Sequence, residues 1–267
     1  MTIDPSSDIT HSPIVEYQCK TDLNLYDSPV CKTLATQAAQ GRHLWVNRSL
    51  LECSQTENLP LDCQGIPVQL CEDGYRSWLS IRDVSQVEPS TAPYQPQEFS
   101  RSEIETSIPQ VIQFAQQALA TPNHYRWGGT LAPHYDCSGL VQSAFASTGI
   151  WIPRDAYQQE AFVKSLALDS HQAMLSCLES GDLIFFGTTS RANHVGLYIG
   201  DGQYIHSSGA KQGRNGIGID VLSSYGETVS QQYLQQLRGA GRVVKSYQLI
   251  TVDQSRLSSL SCEAQTL

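Results

Sequence analysis

The chain has little positive charge, no long apolar run and no closely spaced cysteine pair. Its 17 Lys and Arg residues stand against 26 Asp and Glu residues, which gives a net charge of −9. A general nucleic-acid binder needs a basic surface, so we expect no nucleic-acid partner. No apolar run approaches the roughly 18 residues of a membrane span, so we expect no membrane partner. Residues 1–19 contain no Lys, no Arg and no apolar core; no secretory signal is predicted, and a cytoplasmic location is expected.

The eight cysteines follow neither a disulfide nor a zinc pattern. No C-x-x-C pair occurs, and Cys63 and Cys71 have no partner pair downstream. A zinc site requires ligands at short and regular spacing. A chain of 267 residues also has enough core residues to fold without disulfides. We therefore expect reduced thiols, no metal and no cofactor.

Composition divides the chain into two folded parts. Short β-prone runs separated by turn signals, such as the Asp73-Gly74 pair, predict a small all-β barrel or sandwich in the first part. A segment with three prolines then reads as a semi-rigid linker. The predicted organisation is a flexible arm at 1–13, the β domain at 14–88, the linker at 89–104, a second domain at 105–246 and a tail at 247–267.

Helices precede strands in the second domain. Helical apolar spacing covers residues 109–120, with Pro109 in the first turn, and a second helix over residues 137–148 ends at Gly149. The predicted strands are residues 182–186, 194–199 and 203–206, and a further one near 242–244. Helices followed by strands with short connections favour an α+β fold with an antiparallel sheet.

A reactive thiol is predicted at the start of the second helix. Asp136 occupies the N-cap position and Cys137 the first turn, where the partial positive charge of the helix terminus lowers the pKa of a thiol. His194 opens a strand, and His206 lies on the next strand, after a turn at residues 200–202. Residues of equal parity in such a hairpin share a face, so the two imidazoles lie within reach of each other. The set supplies the nucleophile, the base and the orienting group of covalent acyl transfer.

Each of these residues alone has a plainer interpretation. A cysteine at a helix start is commonly a small buried residue, and Asp136 can be an ordinary N-cap. A single strand histidine is commonly structural or exposed. The combination is rarer than its parts and favours catalysis.

Ordered motifs over residues 107–244 resemble the NlpC-type family of cysteine peptidases, which cleave bacterial cell-wall peptides. The matching pieces are residues 125–129 (YRWGG), 136–140 (DCSGL), 181–183 (GDL), 194–200 (HVGLYIG) and 205–206 (IH). The resemblance implies a papain-like catalytic domain with Cys137 as nucleophile, His194 as base and His206 as orienting residue. It also implies that Tyr125 stabilises the oxyanion; a half-buried structural aromatic is the other interpretation of that residue.

The first domain resembles the bacterial SH3-like modules that precede such peptidases, most clearly at residues 75–79 (YRSWL). Similar cyanobacterial and Bacillus-type enzymes are γ-D-glutamyl-L-diamino-acid endopeptidases that act on peptides with a free N-terminal L-Ala. The resemblance implies that Tyr75 reaches the cleft while Asp136 and Ser138 meet the substrate amine. Because a helix cap needs only one carboxylate oxygen, we expect the other oxygen of Asp136 to be free for that amine. A core aromatic of the barrel is the alternative for Tyr75.

The function expected from this resemblance is hydrolysis of the γ-D-glutamyl–L-diamino acid bond in a murein tripeptide or tetrapeptide, for turnover or recycling of wall peptides. The alternatives are a CHAP-type amidase, a related thiol acyltransferase, or a wall-binding module without activity. An acyltransferase needs an apolar anchoring segment, which the sequence lacks. An inactive module has no need of Cys137, His194 and His206 together.

Overall fold

The computed structural model describes residues 14–54, 64–166 and 171–249. The predicted arm at 1–13 lies outside these ranges, as does the predicted tail beyond residue 249. In the described ranges, no helix combines the length and the apolar character that a membrane crossing requires.

The N-terminal part is built on one antiparallel sheet of seven short strands. Alternating apolar residues place one face of each strand in a common core, where Leu25, Leu44, Ile66 and Leu79 are completely buried. The strands are β1 (Ile14–Cys19), β2 (Leu23–Tyr26), β3 (Leu34–Ala38), β4 (His43–Asn47), β5 (Gly65–Leu70), β6 (Arg76–Ser80) and β7 (Val87–Pro89), in the order β3-β2-β6-β5-β4-β1-β7. Helix α1 (Arg48–Ser54) and a 3₁₀ helix (Ile81–Gln86) connect strands and pack against each other. The predicted short strands are present, and the SH3-like classification stays a prediction.

An extended segment leads from the first part into helix α2 (Arg101–Ala120), which begins inside the predicted linker. Ser100 caps this helix: its hydroxyl accepts the Glu103 N–H, and the Glu103 carboxylate accepts the Ser100 N–H at 2.8 Å. This reciprocal capping box fixes the start of the helix. Pro109 therefore lies inside α2, and the prediction that it occupies the first turn was wrong.

The C-terminal part has helices packed against a second antiparallel sheet. Two short strands, β8 (Thr130–Leu131) and β9 (His134–Tyr135), form a separate hairpin. The remaining elements are α3 (Cys137–Ala146), α4 (Ala156–Phe162), β10 (Lys164–Ser165), α5 (His171–Cys177), β11 (Leu183–Gly187), β12 (Ala192–Gly200), β13 (Gln203–Ser208), a 3₁₀ helix (Ala210–Gln212), β14 (Gly216–Val221), α6 (Thr228–Leu234) and β15 (Leu237–Arg242). The six-stranded sheet has the order β10-β15-β11-β12-β13-β14. The predicted α+β fold with an antiparallel sheet is confirmed.

Helix α3 packs on the centre of this sheet, against β12 and β13. Leu140, Val141 and Phe145 point from the helix into a core that also contains Val195 and Leu197. This packing brings the first turn of α3 onto the strands predicted to carry the histidines. The strand predicted near 242–244 is β15, which lies earlier, and the sequence pattern revealed neither β14 nor helices α4 to α6.

The two parts of the chain are held together by buried hydrogen bonds near β3. The Thr130 N–H donates to Gln37 Oε1 at 3.2 Å, and the Thr130 hydroxyl donates to the Gln37 carbonyl at 3.0 Å. Arg154 Nε donates to the Thr36 hydroxyl at 3.0 Å. Both parts therefore contribute walls to a cavity at the start of α3.

Candidate active site

Helix α3 begins with a buried cysteine behind a well-defined cap. Asp136 Oδ1 accepts the Gly139 N–H at 2.7 Å, which fixes the first turn around Cys137. A Cβ atom at Gly139 would collide with the carbonyl oxygen of Gly129. Glycine at position 139 thus allows the hairpin β8–β9 to approach the helix start.

The thiol of Cys137 lies between α3 and β12. Its sulfur accepts hydrogen bonds from the backbone N–H groups of Val195 and Ser138, and Val195 directly follows His194. Burial raises the pKa of the Cys137 thiol to about 12, and these hydrogen bonds oppose the rise only in part. The expectation of a lowered thiol pKa was wrong because desolvation outweighs the helix terminus. The resting thiol is protonated and needs a base before it can act as a nucleophile.

The two predicted histidines share one face of the sheet. Leu197 of β12 pairs with Ile205 of β13, so His194 and His206 are diagonal neighbours across the strands. His194 Nε2 and His206 Nδ1 are 2.7 Å apart, and both side chains are buried. The ring of Tyr233 stacks on His194 with centroids 4.2 Å apart. The structure therefore brings the two imidazoles together, as strand parity predicted.

Both imidazoles are uncharged at neutral pH. Burial and the neighbouring His206 lower the pKa of His194 well below its usual value, and burial lowers the pKa of His206. A neutral imidazole carries one N–H group and one lone pair. Because His194 Nε2 is bonded to His206, Nδ1 is the nitrogen of His194 that remains for the thiol proton.

Asp136 is fully engaged by protein donors. Its Oδ1 accepts from Gly139 N–H and from Arg154 Nη1 at 3.1 Å, and its Oδ2 accepts from Gly128 N–H at 2.8 Å and from Arg154 Nη2 at 2.6 Å. The Ser138 hydroxyl donates to Asp136 and accepts from Arg154 at 2.9 Å. Asp136 and Ser138 do flank the nucleophile. The expectation that one Asp136 oxygen is free for a substrate amine was wrong, because Arg154 neutralises this carboxylate.

A cavity of about 260 Å³ opens at Cys137 between the two parts of the chain. Five of the predicted site residues line it, namely Tyr75, Tyr125, Asp136, Cys137 and Ser138. Tyr75 also packs against the N-terminal core, so both interpretations of this residue hold. Burial raises the pKa of the Tyr125 hydroxyl, which remains a proton donor beside the thiol. Trp127, 68% exposed, contributes to the rim.

Asp155 presents a second carboxylate to the same cavity. Burial raises its pKa, while the neighbouring Arg154 and a hydrogen bond with Tyr75 oppose the rise. Burial raises the pKa of Tyr75 as well, so its hydroxyl stays protonated and can donate to Asp155. The ion pairs formed by the described residues include Arg154 with Asp136 but none with Asp155. Asp155 and the more exposed Asp27 are thus the lining carboxylates without an ion pair to another described residue, and Asp155 is the one that lies beside the helix start.

Sequence reasoning missed Arg154, Asp155 and Asp220. A signal existed for Asp155, since Gln158 follows three residues later and its Oε1 accepts the Asp155 N–H at 3.1 Å, as at many helix starts. Asp220 bonds His206 at 2.6 Å from strand β14, which was itself not predicted. No cluster of three or more His, Cys, Asp or Glu side chains suited to a metal ion occurs among the residues that the structure covers.

Part of the chain, including Cys137 and both histidines, is similar to known proteins. Residues 122–238 match the model of the NlpC/P60 family. The murein DD-endopeptidase/murein LD-carboxypeptidase MepS of Escherichia coli is 39% identical over 85 residues, which are 32% of this chain and 42% of that protein. The γ-D-glutamyl-L-lysine dipeptidyl-peptidase of Bacillus subtilis is 34% identical over 131 residues, 48% of this chain and 39% of that protein.

The enzyme of the same name from Bacillus cereus is 31% identical over 201 residues, 72% of this chain and 51% of that protein. The chain thus spans between 39% and 51% of the length of these curated relatives. A crystal structure of an NlpC/P60 family protein from Bacillus cereus aligns with 86% of this chain and 63% of its own, at 23% identity and a TM-score of 0.42.

Proposed function

Residues 122–238 form a domain of the NlpC/P60 family, and we propose that the chain is a cysteine peptidase of bacterial cell-wall peptides. Its proposed reaction is hydrolysis of the γ-D-glutamyl–L-diamino acid bond in murein tripeptides or tetrapeptides with a free N-terminal L-Ala. The observation that carries this proposal is the cavity that holds both the Cys137 thiol and the Asp155 carboxylate. The names of the two Bacillus relatives support the same type of bond.

The proposed mechanism starts from a neutral thiol and a neutral imidazole. His194 Nδ1 takes the thiol proton of Cys137 as the sulfur attacks the γ-carbonyl carbon of D-Glu. First-turn N–H groups of α3 and the Tyr125 hydroxyl stabilise the oxyanion. The C–N bond then breaks, and His194 returns the proton to the leaving amine. A water molecule, deprotonated by His194, hydrolyses the thioester and restores the thiol.

We assign recognition of the substrate amine to Asp155. Arg154 already neutralises Asp136, whereas no cation pairs with Asp155 among the described residues. The ammonium group of an N-terminal L-Ala supplies the countercharge and the donors that a half-buried carboxylate in a closed cavity needs. A blocked amine covers this carboxylate without giving it a charged partner, so the site selects against a blocked substrate.

The N-terminal part is proposed to close the far end of the substrate site. Tyr75 and the turn that contains Asp27 line the cavity from this part of the chain. In intact murein the amine of L-Ala is blocked by its link to the glycan, so a closed amine pocket suits released peptides. On this ground we propose a role in peptide turnover and recycling, and with it a cytoplasmic location.

Two peptides test the proposal, L-Ala-γ-D-Glu-diamino acid with a free amine and the same peptide acetylated at L-Ala. Loss of a charged, desolvated hydrogen-bonded pair costs about 2–5 kcal/mol, so acetylation should lower kcat/KM at least tenfold in mass-spectrometric assays. Asp155→Asn should slow cleavage of the free peptide and leave the acetylated one little changed. Asp201→Asn, at an exposed turn, removes the same charge and serves as the control.

Other results distinguish the alternatives. Equal turnover of both peptides rejects the amine pocket and favours an endopeptidase of intact wall. Release of whole stem peptides from glycan indicates an amidase, and acyl transfer to a lipid amine or alcohol indicates an acyltransferase. A chain that cleaves neither peptide and whose Cys137 resists alkylation is a binding module.

A further inference from the structure

A row of three hydrogen-bonded side chains crosses the sheet behind the thiol. His194 on β12 bonds His206 on β13 at 2.7 Å, and His206 Nε2 bonds Asp220 Oδ2 on β14 at 2.6 Å. Gly218 is the residue of β14 that pairs with His206. Asp220, two residues further, therefore points to the same face as His206 and lies diagonally across from it.

Asp220 is held as a buried, ionised acceptor. Its side chain is 2% exposed; Oδ2 also accepts from Arg214 Nη2 at 2.8 Å, and Oδ1 accepts from the Ser230 hydroxyl at 2.7 Å. Burial opposes ionisation, but the hydrogen bonds from His206 and Ser230 lower the pKa of Asp220 to about 2. At neutral pH this carboxylate accepts hydrogen bonds and donates none.

An acceptor at this position determines where the imidazole protons lie. Because Asp220 only accepts, Nε2 of His206 must carry the ring proton, and Nδ1 of His206 must carry the lone pair. That lone pair accepts from His194 Nε2, which must therefore be the protonated nitrogen of His194. The Nδ1 atom of His194 is then left basic. Without a fixed acceptor, either tautomer of the pair satisfies the bond between the two rings.

We propose that Asp220 is a positioning residue that fixes the tautomers of His206 and His194, so that Nδ1 of His194 faces the thiol as a lone pair. The proposal deepens the peptidase function proposed above and rests on it. Asp220 does not exchange a proton during the reaction. It keeps the base in its productive form and supports the positive charge that His194 acquires with the proton of Cys137.

Two substitutions separate this role from a purely electrostatic one. In Asp220→Asn, the donors Arg214 and His206 both require an oxygen at the Oδ2 position, so the amide keeps its carbonyl there. The charge is lost, and the Ser230 hydroxyl must turn to accept from the amide NH2 in place of donating to Oδ1. In Asp220→Ala, the acceptor itself is lost, and Arg214 is released to donate to His206 Nε2. The second change favours the inverted tautomers, in which Nδ1 of His194 carries the proton.

The tautomers are measured by ¹⁵N NMR of histidine-labelled protein at neutral pH, without substrate. We expect protonated Nε2 on both rings in the wild type and in Asp220→Asn, and inverted or mixed tautomers in Asp220→Ala. With the free-amine peptide, kcat should fall about tenfold in Asp220→Asn, since a charged hydrogen bond becomes a neutral one. It should fall on the order of 100-fold or more in Asp220→Ala. Asp201→Asn is the matched control, because Asn tolerates the positive φ of that exposed turn residue.

Two results of these measurements would overturn the proposed role of Asp220. A wild-type His206 protonated at Nδ1 overturns the proposal even if every variant fails to fold. If folded Asp220→Asn and Asp220→Ala lose kcat equally and keep the wild-type tautomers, Asp220 acts through its charge alone. That result also overturns the proposal. Because the NMR signature needs no peptide, a wrong substrate assignment leaves this test intact.

Discussion

Arg154 bonds both oxygens of Asp136, at 3.1 and 2.6 Å, and thereby ties the cap of the nucleophile's helix to the N-terminal sheet. The two side chains are 1% and 9% exposed. The same guanidinium reaches Thr36 on β3 through Nε. One buried ion pair thus neutralises the carboxylate next to Cys137 and positions the two walls of the cavity.

Removal of the buried Arg154 side chain should destabilise the protein more than removal of a surface arginine does. Breaking a buried pair from one side leaves an uncompensated charge and costs about 3–5 kcal/mol. We expect Arg154→Leu to lower the free energy of unfolding in urea by this amount, and Arg154→Leu with Asp136→Asn to recover part of it. Arg101→Leu, which breaks pairs with exposed Glu105 and Glu179, is the control and should cost about 1 kcal/mol or less. Similar losses of unfolding free energy in Arg154→Leu and Arg101→Leu would contradict the structural role of the pair between Arg154 and Asp136.

The sequence predicts those site residues whose positions depend on a single helix start or a single hairpin. Cys137 was predicted from its place after a capping Asp, and the meeting of His194 with His206 from strand parity across a short turn. Both depend on residues close in sequence, whose geometry is fixed by the hydrogen bonds of a helix start or a hairpin.

The missed residues depend on long-range packing. Arg154 reaches Asp136 and β3 from a loop, and no periodic pattern marks a loop side chain that folds back onto a helix cap. Asp220 meets His206 only because β14 pairs with β13, and the glycine-rich sequence of β14 gives a weak strand signal. The thiol pKa was misjudged for a similar reason: the helix terminus is visible in the sequence, but the burial that outweighs it is not.

Cys137→Ala should abolish peptide hydrolysis and leave the fold intact, because the covalent intermediate requires the sulfur. Cys177→Ala removes an exposed thiol and should retain wild-type activity. Mass spectrometry of the wild type mixed with substrate should show the acyl adduct on the peptide that contains Cys137. Hydrolysis near the wild-type rate in Cys137→Ala would exclude the thiol mechanism.

His194→Ala should be nearly as severe as loss of the thiol, since it removes the base itself. His206→Ala should be milder in kcat, because an orienting residue is partly replaced by water and by the stacked ring of Tyr233. Steady-state kinetics show which of the two variants loses more kcat, and circular dichroism verifies that both are folded. If His206→Ala were the harsher change, the roles of base and orienting group would be reversed.

The raised pKa of Asp155 should make substrate affinity depend on pH in a defined direction. Burial favours the protonated form, so as the pH falls toward this raised pKa the carboxylate becomes neutral and loses its attraction for an ammonium group. The substrate amine stays protonated over this range, because α-amino groups have a pKa of about 8. We therefore expect KM for the free-amine peptide to rise from neutral to acid pH.

A separate loss of kcat should accompany protonation of His194, whose pKa burial holds well below its usual value. In Asp155→Asn, KM should already be high at neutral pH and should vary little with pH, whereas Asp201→Asn should reproduce the wild-type profile. Initial rates over a pH series, fitted separately for kcat and KM, provide the measurement. A wild-type KM that is flat over this range, or that rises equally in Asp155→Asn, would remove Asp155 from amine recognition and return that role to another group of the cavity.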